Sequence, residues 1–315
     1  MSEQLASRER AARKMAEDIL GTAPELFSNP LTVLASPAWR GIEGDIWRAR
    51  SVGTSVIIKN YHPDTEFYVD PETAIHATEQ AGKLGVGPEV LKSRAEDGLA
   101  ALVDLVDPWR AGGLQDAVDA GIRSKVIENK KAFQAGAQLC NDASIFDEIE
   151  GLFAIVQREN IYTHKDAHVF LDFLRDANAK LNSLGRDRCP CHRDGNTANL
   201  MVGQDHSIQL LDFDLAANCD PFEDIGCYLV EFFENDVDAR AGFEEWYGNF
   251  NEGLFQRSMI YGLADDMRWG LIGAIMAAKS PRSHLEFSKY SAWRFIRLEM
   301  RAKSSDANDR IRTAA

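Results

Sequence analysis

The stretch His192–Asn199 reads HRDGNTAN, and Leu210–Asp214, a short distance further along the chain, reads LLDFD. The first stretch holds an acid, Asp194, and an amide, Asn199, in a polar loop. The second is a strand-like apolar run that ends in two acids. Together they are either the working part of a phosphate-transfer site or an ordinary polar loop between two hydrophobic segments. The rest of the chain decides between these interpretations.

Asp194, Asn199 and Asp212 offer the side chains that phosphoryl transfer from ATP requires. This chemistry needs oxygen ligands for a divalent metal, a group that orients the attacking hydroxyl, and a cation on the phosphates. We therefore predict that Asp194 orients the hydroxyl and accepts its proton, and that Asn199 and Asp212 hold Mg²⁺. Asp214 is expected to assist the metal, because strand alternation places it on the same face as Asp212.

The N-terminal part of the chain supplies a matching cation. Lys59 ends the strand-like segment SVIIK, and Glu72 follows in the first turn of the next predicted helix. Taken singly, Lys59 is typical of a solvated strand end and Glu72 of a favourable first-turn acid. As an ion pair they would position the lysine on the α- and β-phosphates of ATP. Their order with HRDGNTAN and LLDFD matches the protein-kinase signature of VAIK, HRDLxxxN and DFG.

The predicted elements divide the chain into two lobes. Residues 4–20 form an amphipathic helix by pattern, and strand-like pieces follow at LTVLA, DIWRARS and SVIIKNY. A helix starts after Asp70, and EVLKSR with LAALVDLV forms a hairpin. The remainder is mostly helical, with one hairpin at NLMVG and SIQLLDFD. We expect an α+β bilobal fold: a small antiparallel sheet with one main helix in a nucleotide-binding lobe (1–106), and a larger helical lobe for catalysis and substrate binding (107–315).

Composition and charge exclude several classes of protein. The 315 residues are 45% hydrophobic and 27% charged, which is typical of a globular protein, and the formal net charge of −14 argues against nucleic acid or anionic lipid as a partner. No apolar run approaches the roughly 20 residues of a membrane-spanning helix, and the N-terminus lacks the apolar segment of a signal peptide. Five cysteines, an odd number, suggest free thiols. We therefore expect a cytoplasmic protein without membrane insertion.

Four of the cysteines crowd the region around HRDGNTAN, so a metal site is an alternative use for them. Cys189 and Cys191 are spaced as C-x-C, and Cys219 and Cys227 as C-x7-C. Neither spacing matches the C-x2-C pairs of structural zinc sites. Buried free thiols are the favoured interpretation.

The sequence is similar to the superfamily of aminoglycoside phosphotransferases and choline kinases, which has a protein-kinase-like fold. PCHRDGNTANLMV resembles the family's C-H-x-D-x4-N loop, and LLDFDLAANCDPFEDIG resembles its metal strand followed by a D-I-G helix start. Unlike in protein kinases, no glycine follows Asp212-Phe213 and no A-P-E element follows. The resemblance therefore implies a small-molecule kinase with ATP and Mg²⁺. It also implies a phosphate loop at WRGIEGDIW, with Gly41 and Gly44, and an adenine site near Leu102–Val106.

The C-terminal third is most similar to choline and ethanolamine kinases. Trp269 matches a tryptophan of the substrate cage, and Tyr290 lies in an F-x-x-Y-x-x-x-R pattern. In the segment DIGCYLVEFFE, the pair Glu231-Phe232 corresponds to a Glu-Trp pair of the family. The resemblance implies that Trp269, Glu231, Phe232 and Tyr290 surround a substrate ammonium with aromatic faces and carboxylates.

The cage departs from the family pattern at two positions. Ile272 stands where a second tryptophan is expected, and Glu234 stands near the place of a family tyrosine that follows Glu231. Either Phe232, Tyr290 or Trp293 completes the cage, or the substrate is a less methylated amine or a different alcohol. A further alternative is that Trp269 and its neighbours are helix-packing core.

These features together predict an ATP- and Mg²⁺-dependent phosphotransferase for the hydroxyl of a small cationic amino alcohol of the choline or ethanolamine type. A kinase of another small hydroxylated substrate, such as an aminoglycoside, a sugar or a thiamine-like cation, would have the same fold. A non-catalytic binding protein on a kinase scaffold is a third alternative. The joint retention of Lys59, Asp194, Asn199 and Asp212 argues against it. The oligomeric state is left open, with a homodimer as one alternative.

Overall fold

The N-terminal part of the chain is built on a five-stranded antiparallel sheet with the strand order β1-β2-β3-β5-β4. The computed structural model describes residues 3–36, 38–304 and 307–315. The strands of this sheet are Leu26–Ser28 (β1), Gly44–Ser51 (β2), Thr54–Tyr61 (β3), Val90–Arg94 (β4) and Leu99–Val103 (β5). The small antiparallel sheet predicted for this lobe is therefore present.

Two helices cover this sheet. The first, Glu3–Leu20 (α1), packs Ala12, Met15 and Ala16 against buried residues of β2, β3 and β5. The second, Pro71–Lys83 (α2), begins where the Asp70 carboxylate accepts a hydrogen bond from Glu72 N at 3.0 Å. This side-chain cap satisfies one of the free amides of the first turn.

The predicted strand LTVLA is not formed. Leu34 pairs only with Arg40, as an isolated bridge, because the chain turns back on itself ahead of Gly41, whose φ is +65°. The edge strand of the sheet is instead β1, which pairs with residues 48–50 of β2. The segment between β1 and β2 is consequently a long loop.

The C-terminal part is mostly helical and is organised around one buried helix. Its helices are Leu114–Ala117 (α3), Ala120–Gln134 (α4), Ile145–Arg158 (α5), Ala167–Leu184 (α6), Pro221–Phe232 (α7), Asp236–Tyr247 (α8), Glu252–Lys279 (α9), Phe287–Ser304 (α10) and Ala307–Thr313 (α11). Helix α9 is buried continuously over residues 255–276 and packs against α5, α7 and α10. Nothing among the described helices is long and apolar enough to cross a lipid bilayer.

Short strands in this part bring the loop HRDGNTAN and the segment LLDFD to one place. They are Arg110–Ala111 (β6), Cys189–Cys191 (β7), Leu200–Val202 (β8), Ile208–Leu210 (β9) and Ala217–Cys219 (β10). Strand β7 pairs with β10, and β8 forms a hairpin with β9. Because the loop from 192 to 199 joins β7 to β8, and β9 leads directly to Asp212, both motifs end at the same edge.

Candidate functional site

The carboxylate of Asp194 is held in place by hydrogen bonds from its own loop. Its Oδ1 accepts a hydrogen bond from Asn196 N at 2.6 Å, and its Oδ2 accepts one from Asn199 Nδ2 at 2.6 Å. Asn199 Nδ2 also lies 3.4 Å from Asp212 Oδ2. The structure therefore brings together the three residues that were predicted to carry the chemistry.

The loop itself is anchored by groups that lie far apart in the sequence. The Asp224 carboxylate accepts hydrogen bonds from His192 N at 3.1 Å and Arg193 N at 2.8 Å. Lys130 Nζ donates to Asp194 O at 2.7 Å and to Asp224 Oδ1 at 3.0 Å. These bonds satisfy the buried amides of the loop and fix its backbone.

The role of Asp224 has a sequence signal, because it is the acid of the D-I-G helix start, whereas nothing in the sequence singles out Lys130.

His192 is buried and bonds through Nε2 with Leu211 O at 2.9 Å. Burial, and then the charge of Lys130, lower the pKa of His192 to about 4. A neutral imidazole in this position suits a residue that anchors the loop and does not transfer protons.

Lys59 lies opposite these acids and is paired with two of them. Its Nζ donates to Asp212 Oδ1 at 2.7 Å and to Asp214 Oδ2 at 2.6 Å. Tyr61 OH donates to Asp214 Oδ1 at 2.6 Å. Burial by itself raises the pKa of Asp212, but the ammonium of Lys59 brings that pKa below its ordinary value. Burial and the neighbouring charge of Asp212 raise the pKa of Asp214 well above its ordinary value.

The expected partner of Lys59, Glu72, is not part of this cluster. Glu72 is exposed in the first turn of α2, because the helix turns its small buried residues, Ala74, Ala77 and Ala81, towards the protein interior. The predicted Lys59–Glu72 pair is therefore wrong for this structure. The third carboxylate near Lys59 comes from Glu43, whose charge acts on the lysine together with those of Asp212 and Asp214.

The strand alternation that was predicted to place Asp214 on the same face as Asp212 is not present. Strand β9 ends at Leu210, and Asp212 has a φ of +65°, so no strand alternation connects Asp212 with Asp214. A left-handed residue in this place turns both carboxylates towards Lys59. The two acids are brought together by a turn and not by a strand face.

Gly41 and Gly44 lie in the loop before β2, as expected, but their positions have local explanations. Gly41 has a left-handed φ of +65°, which glycine adopts without strain. At Gly44 an added Cβ would lie 2.8 Å from Asn60 O on the adjacent strand β3. Both glycines therefore serve the turn and the strand pairing, and contact with phosphates stays a prediction for them.

Trp269 and Tyr290 belong to a group of five rings that we call the aromatic cluster. Its members come from both lobes and are Trp39, Tyr68, Trp269, Phe287 and Tyr290. The Trp39 ring centroid lies 4.4 Å from that of Tyr290 and 5.4 Å from that of Trp269. Asn196 Nδ2 donates to Ala38 O at 2.7 Å, so the segment before Trp39 touches the catalytic loop.

Trp39 and Glu43 are the residues of this region that sequence reasoning missed. Glu43 is 3% exposed, and its Oε1 accepts hydrogen bonds from Trp39 Nε1 at 2.6 Å and from Tyr68 OH at 3.1 Å. One carboxylate oxygen each from Glu43, Asp212 and Asp214 lie within 4.8 Å of one another. The available signal was the acid inside the turn GIEG, directly before β2.

Two of the predicted substrate residues do not line this cluster. Glu231 accepts hydrogen bonds from Arg294 at 2.7 Å and Arg297 at 2.8 Å. Phe232 packs against Tyr228, with ring centroids 4.7 Å apart, in a different hydrophobic core. Phe232 is therefore not part of the aromatic cluster, and its assignment is corrected. Glu231 borders the cluster through Arg294, which also donates to Tyr290 OH at 2.9 Å, so a substrate role for Glu231 stays a prediction.

Ile272, which stands where a second tryptophan was expected, lines a cavity. The cavity has a volume of about 390 Å³ and is also lined by Tyr68, Leu215 and Arg268. Because Tyr68 belongs to the aromatic cluster, this space lies next to the cluster.

The acids at the cleft fit the ligand preference of Mg²⁺. Asp212 and Asp214 contribute carboxylate oxygens, and Asn199 contributes an amide beside them. Hard divalent cations bind such oxygen donors. A divalent cation held by these oxygens would take over the carboxylates that now pair with Lys59, and the lysine would then be available for phosphate oxygens.

The protonation of Asp194 leads to a prediction about stability. Burial raises the pKa of Asp194 to about 7; hydrogen bonds oppose this effect and the charge of Asp212 adds to it. The folded protein thus binds this proton more tightly than the unfolded chain, and ionisation destabilises the fold as the pH rises through about 7. Asp194→Asn cannot ionise. Its melting temperature, relative to the wild type, should be higher at about pH 8 than at about pH 5, measured by thermal unfolding without metal or nucleotide. An equal difference at both pH values would contradict the prediction.

Comparison with known proteins agrees with this geometry. The sequence pattern of the phosphotransferase enzyme family matches residues 35–258. No curated protein matches the sequence. A choline/ethanolamine kinase family protein from Mesorhizobium loti has a TM-score of 0.78 at 18% identity, covering 96% of this chain and 98% of its own.

Two other solved structures show the same fold. The choline kinase LicA from Streptococcus pneumoniae, also solved in complex with AMP, has a TM-score of 0.76 at 14% identity, covering 95% of this chain and 100% of its own. APH(2")-IIa, solved in complex with gentamicin, has a TM-score of 0.60 at 11% identity, covering 94% and 96%. Likeness at such identities shows the fold.

The predicted α+β, protein-kinase-like fold and the resemblance to this superfamily are therefore confirmed. The family pattern spans both the strand that carries Lys59 (β3) and the loop that carries Asp194. From residues 35 to 258, the chain belongs to the phosphotransferase enzyme family.

Proposed function

We propose that this phosphotransferase moves the γ-phosphoryl group of ATP to the hydroxyl of a small cationic amino alcohol. The observation that carries the proposal is the position of the buried aromatic cluster and Glu43 beside Lys59, Asp212 and the loop of Asp194. A phosphate site and a cation site thus share one cleft.

Asp194 is the proposed catalytic base. The alcohol oxygen forms a bond with the γ-phosphorus, the bond from that phosphorus to the bridging oxygen of ADP breaks, and the hydroxyl proton passes to the Asp194 carboxylate. Both oxygens of Asp194 are already oriented, by Asn196 N and Asn199 Nδ2. Catalysis of this kind depends on positioning, which the anchored loop supplies.

The metal and phosphate ligands are proposed from the same geometry. Asn199, Asp212 and Asp214 would hold Mg²⁺, which neutralises charge on the phosphates when it is bound. Lys59, 2.7 Å from Asp212, is close enough to reach the same phosphates. The AMP complex of LicA supports an adenine nucleotide as the donor. We keep the division into a nucleotide-binding lobe (1–106) and a catalytic lobe (107–315) as part of the proposal.

The nature of the acceptor is inferred from the aromatic cluster. Aromatic faces attract cations, most strongly when the cation is desolvated. Trp269 and Tyr290 both contact the ring of Trp39. Trp39 and Tyr68 in turn donate hydrogen bonds to the buried carboxylate of Glu43. The choline/ethanolamine kinase family protein and LicA, with TM-scores of 0.78 and 0.76, support an amino alcohol.

ATP as the donor and five free cysteines support a cytoplasmic location.

A larger hydroxylated substrate is a second candidate, because of the cavity beside Ile272. Its volume of about 390 Å³ would accept part of an aminoglycoside, a sugar or a thiamine-like cation. The structure of APH(2")-IIa with gentamicin supports this alternative at a lower TM-score of 0.60.

An ATP-consumption assay over a panel of alcohols distinguishes these acceptors. The panel holds ethanolamine, its N-methylated forms up to choline, thiamine, simple sugars and an aminoglycoside, each with Mg·ATP. We expect the highest kcat/KM with an amino alcohol, because its amino group would meet the buried carboxylate of Glu43 and the faces of the aromatic cluster. Phosphorylated product is identified by mass spectrometry. Turnover restricted to sugars or aminoglycosides would replace the proposal with the second candidate.

A further inference from the structure

A cationic substrate needs a counter-ion, and the carboxylates near the aromatic cluster differ in whether they already have one. Glu231, the predicted candidate, lies 2.7 Å from Arg294 and 2.8 Å from Arg297. Burial opposes ionisation of Glu231, but the two guanidinium groups lower its pKa to about 2. Asp266, on α9, lies 3.0 Å from Arg294 and 3.2 Å from Arg297. Both charges are therefore compensated inside the protein.

Glu43 has no cation in direct contact. Lys59, whose charge acts on it from a greater distance, is already paired with Asp212 and Asp214. Its two hydrogen-bond donors, Trp39 Nε1 and Tyr68 OH, are neutral. Over residues 3–36, 38–304 and 307–315, no lysine, arginine or histidine nitrogen comes within 4.0 Å of its carboxylate. Burial and the charge of Asp212 raise the pKa of Glu43. A buried anion with only neutral donors is costly, and a bound cation would offset that cost.

Glu43 and Asp194 are connected through Asp212 by short distances. The Glu43 carboxylate lies within 4.8 Å of that of Asp212. Asn199 Nδ2 in turn lies 3.4 Å from Asp212 Oδ2 and 2.6 Å from Asp194 Oδ2. Glu43 and Asp194 therefore both belong to the surroundings of Asp212. An alcohol with its nitrogen at Glu43 would extend past Asp212 towards Asp194.

The packing of the aromatic cluster places the ammonium group beside the rings. Trp39 lies 4.4 Å from Tyr290, 5.4 Å from Trp269 and 5.6 Å from Phe287, measured between ring centroids. Rings at these distances touch each other, so an ammonium group of any size would lie beside the cluster, at Glu43, and not between the rings. A less substituted ammonium is smaller, and its N–H can donate to a carboxylate oxygen, which a quaternary nitrogen cannot do.

We propose that Glu43 is the counter-ion of the substrate ammonium group and that it selects amino alcohols whose nitrogen carries at least one hydrogen. This inference rests on the proposed function, because it takes an amino alcohol as the acceptor. It adds a specificity residue from the loop between β1 and β2. The substrate would then be held by both lobes.

Glu43→Gln tests the charge of this residue with little change of shape. The amide oxygen can still accept the hydrogen bonds from Trp39 and Tyr68. We expect kcat/KM for ethanolamine to fall by on the order of 30-fold or more, while the KM for ATP changes by less than about twofold. The wild-type preference for ethanolamine over ethylene glycol, a neutral analogue of similar size, should disappear.

Two further variants separate charge from folding and from general electrostatics. Glu43→Asp keeps the charge, so it should retain the preference for ethanolamine over ethylene glycol even where its rates are lower. Glu72→Gln removes an exposed carboxylate at the start of α2 and should leave that preference unchanged. Thermal unfolding of each variant checks that the fold is intact.

Three results would overturn the inference. A raised KM for Mg·ATP in Glu43→Gln, with the KM for ethanolamine unchanged, would assign Glu43 to the metal. A kcat/KM for choline equal to that for ethanolamine would contradict selection by N–H. If the wild type phosphorylates no amino alcohol, the proposed function fails, and calorimetric titration with ethanolamine decides the role of Glu43 separately. Binding that Glu43→Gln abolishes supports the inference, and absence of binding to the wild type overturns it.

Discussion

Asp194→Asn is expected to lower kcat by about 10³-fold, because the variant has no carboxylate to accept the hydroxyl proton. The amide has nearly the same shape, and its oxygen can keep the hydrogen bond from Asn196 N, while the Asn199 amide must rotate to place its oxygen against the new NH2 group. Its anchors, Asp224 and Lys130, bond to backbone atoms that the substitution does not alter. The loss should therefore fall on the chemical step and not on folding.

Nucleotide binding provides the internal control for this variant. Lys59, Asn199 and Asp212 are unchanged in Asp194→Asn, so the Kd for Mg·ATP, measured by calorimetry, should stay within about threefold of the wild-type value. Asp205→Asn removes an exposed carboxylate in the turn between β8 and β9 and should have normal kcat. If Asp194→Asn keeps most of its activity, Asp194 is not the base.

Asp212→Ala is expected to raise the Kd for Mg·ATP by on the order of 100-fold or more, because it deletes a proposed metal ligand. The same substitution removes one of the two carboxylates that pair with Lys59 at 2.6–2.7 Å. Affinity for ATP without metal should consequently be retained. Calorimetric titrations with ATP in the presence and absence of Mg²⁺ measure both quantities.

Backbone conformation must be controlled at this position. Asp212 has a φ of +65°, which alanine adopts with strain and asparagine tolerates better. Asp212→Asn therefore tests the loss of charge with less disturbance of the turn, and we expect weaker Mg·ATP binding with an unchanged melting temperature. Equal Mg·ATP affinity in wild type, Asp212→Ala and Asp212→Asn would exclude Asp212 from the metal site.

The sequence alone predicted the fold and the group of residues at the cleft. HRDGNTAN, LLDFD and the lysine of SVIIK occur in an order that local structure can bring together. Asp194 and Asn199 share one short loop, and the β8–β9 hairpin returns the chain to Asp212 beside them. These contacts depend on short connections, whose geometry is encoded in neighbouring residues.

Charge pairing between distant elements could not be predicted in the same way. The sequence does not reveal that Arg294 and Arg297 on α10 neutralise Glu231 at the end of α7. It also does not reveal which face of α2 turns inward, and so it assigned Glu72 to Lys59. Such pairs are decided by helix packing, in which one rotation of a helix exchanges its buried and exposed side chains.

By itself, the sequence determined the catalytic loop, the metal-binding residues proposed beside it and the kinase-like fold, because each depends on a local motif in a fixed order. Only the tertiary structure decided the substrate side of the cleft. There, the long loop between β1 and β2 inserts Trp39 among the rings of α9 and α10, and it leaves Glu43 with no cation within 4.0 Å in the described part of the chain. The physical reason is that a loop without regular secondary structure takes its position from the surface on which it packs.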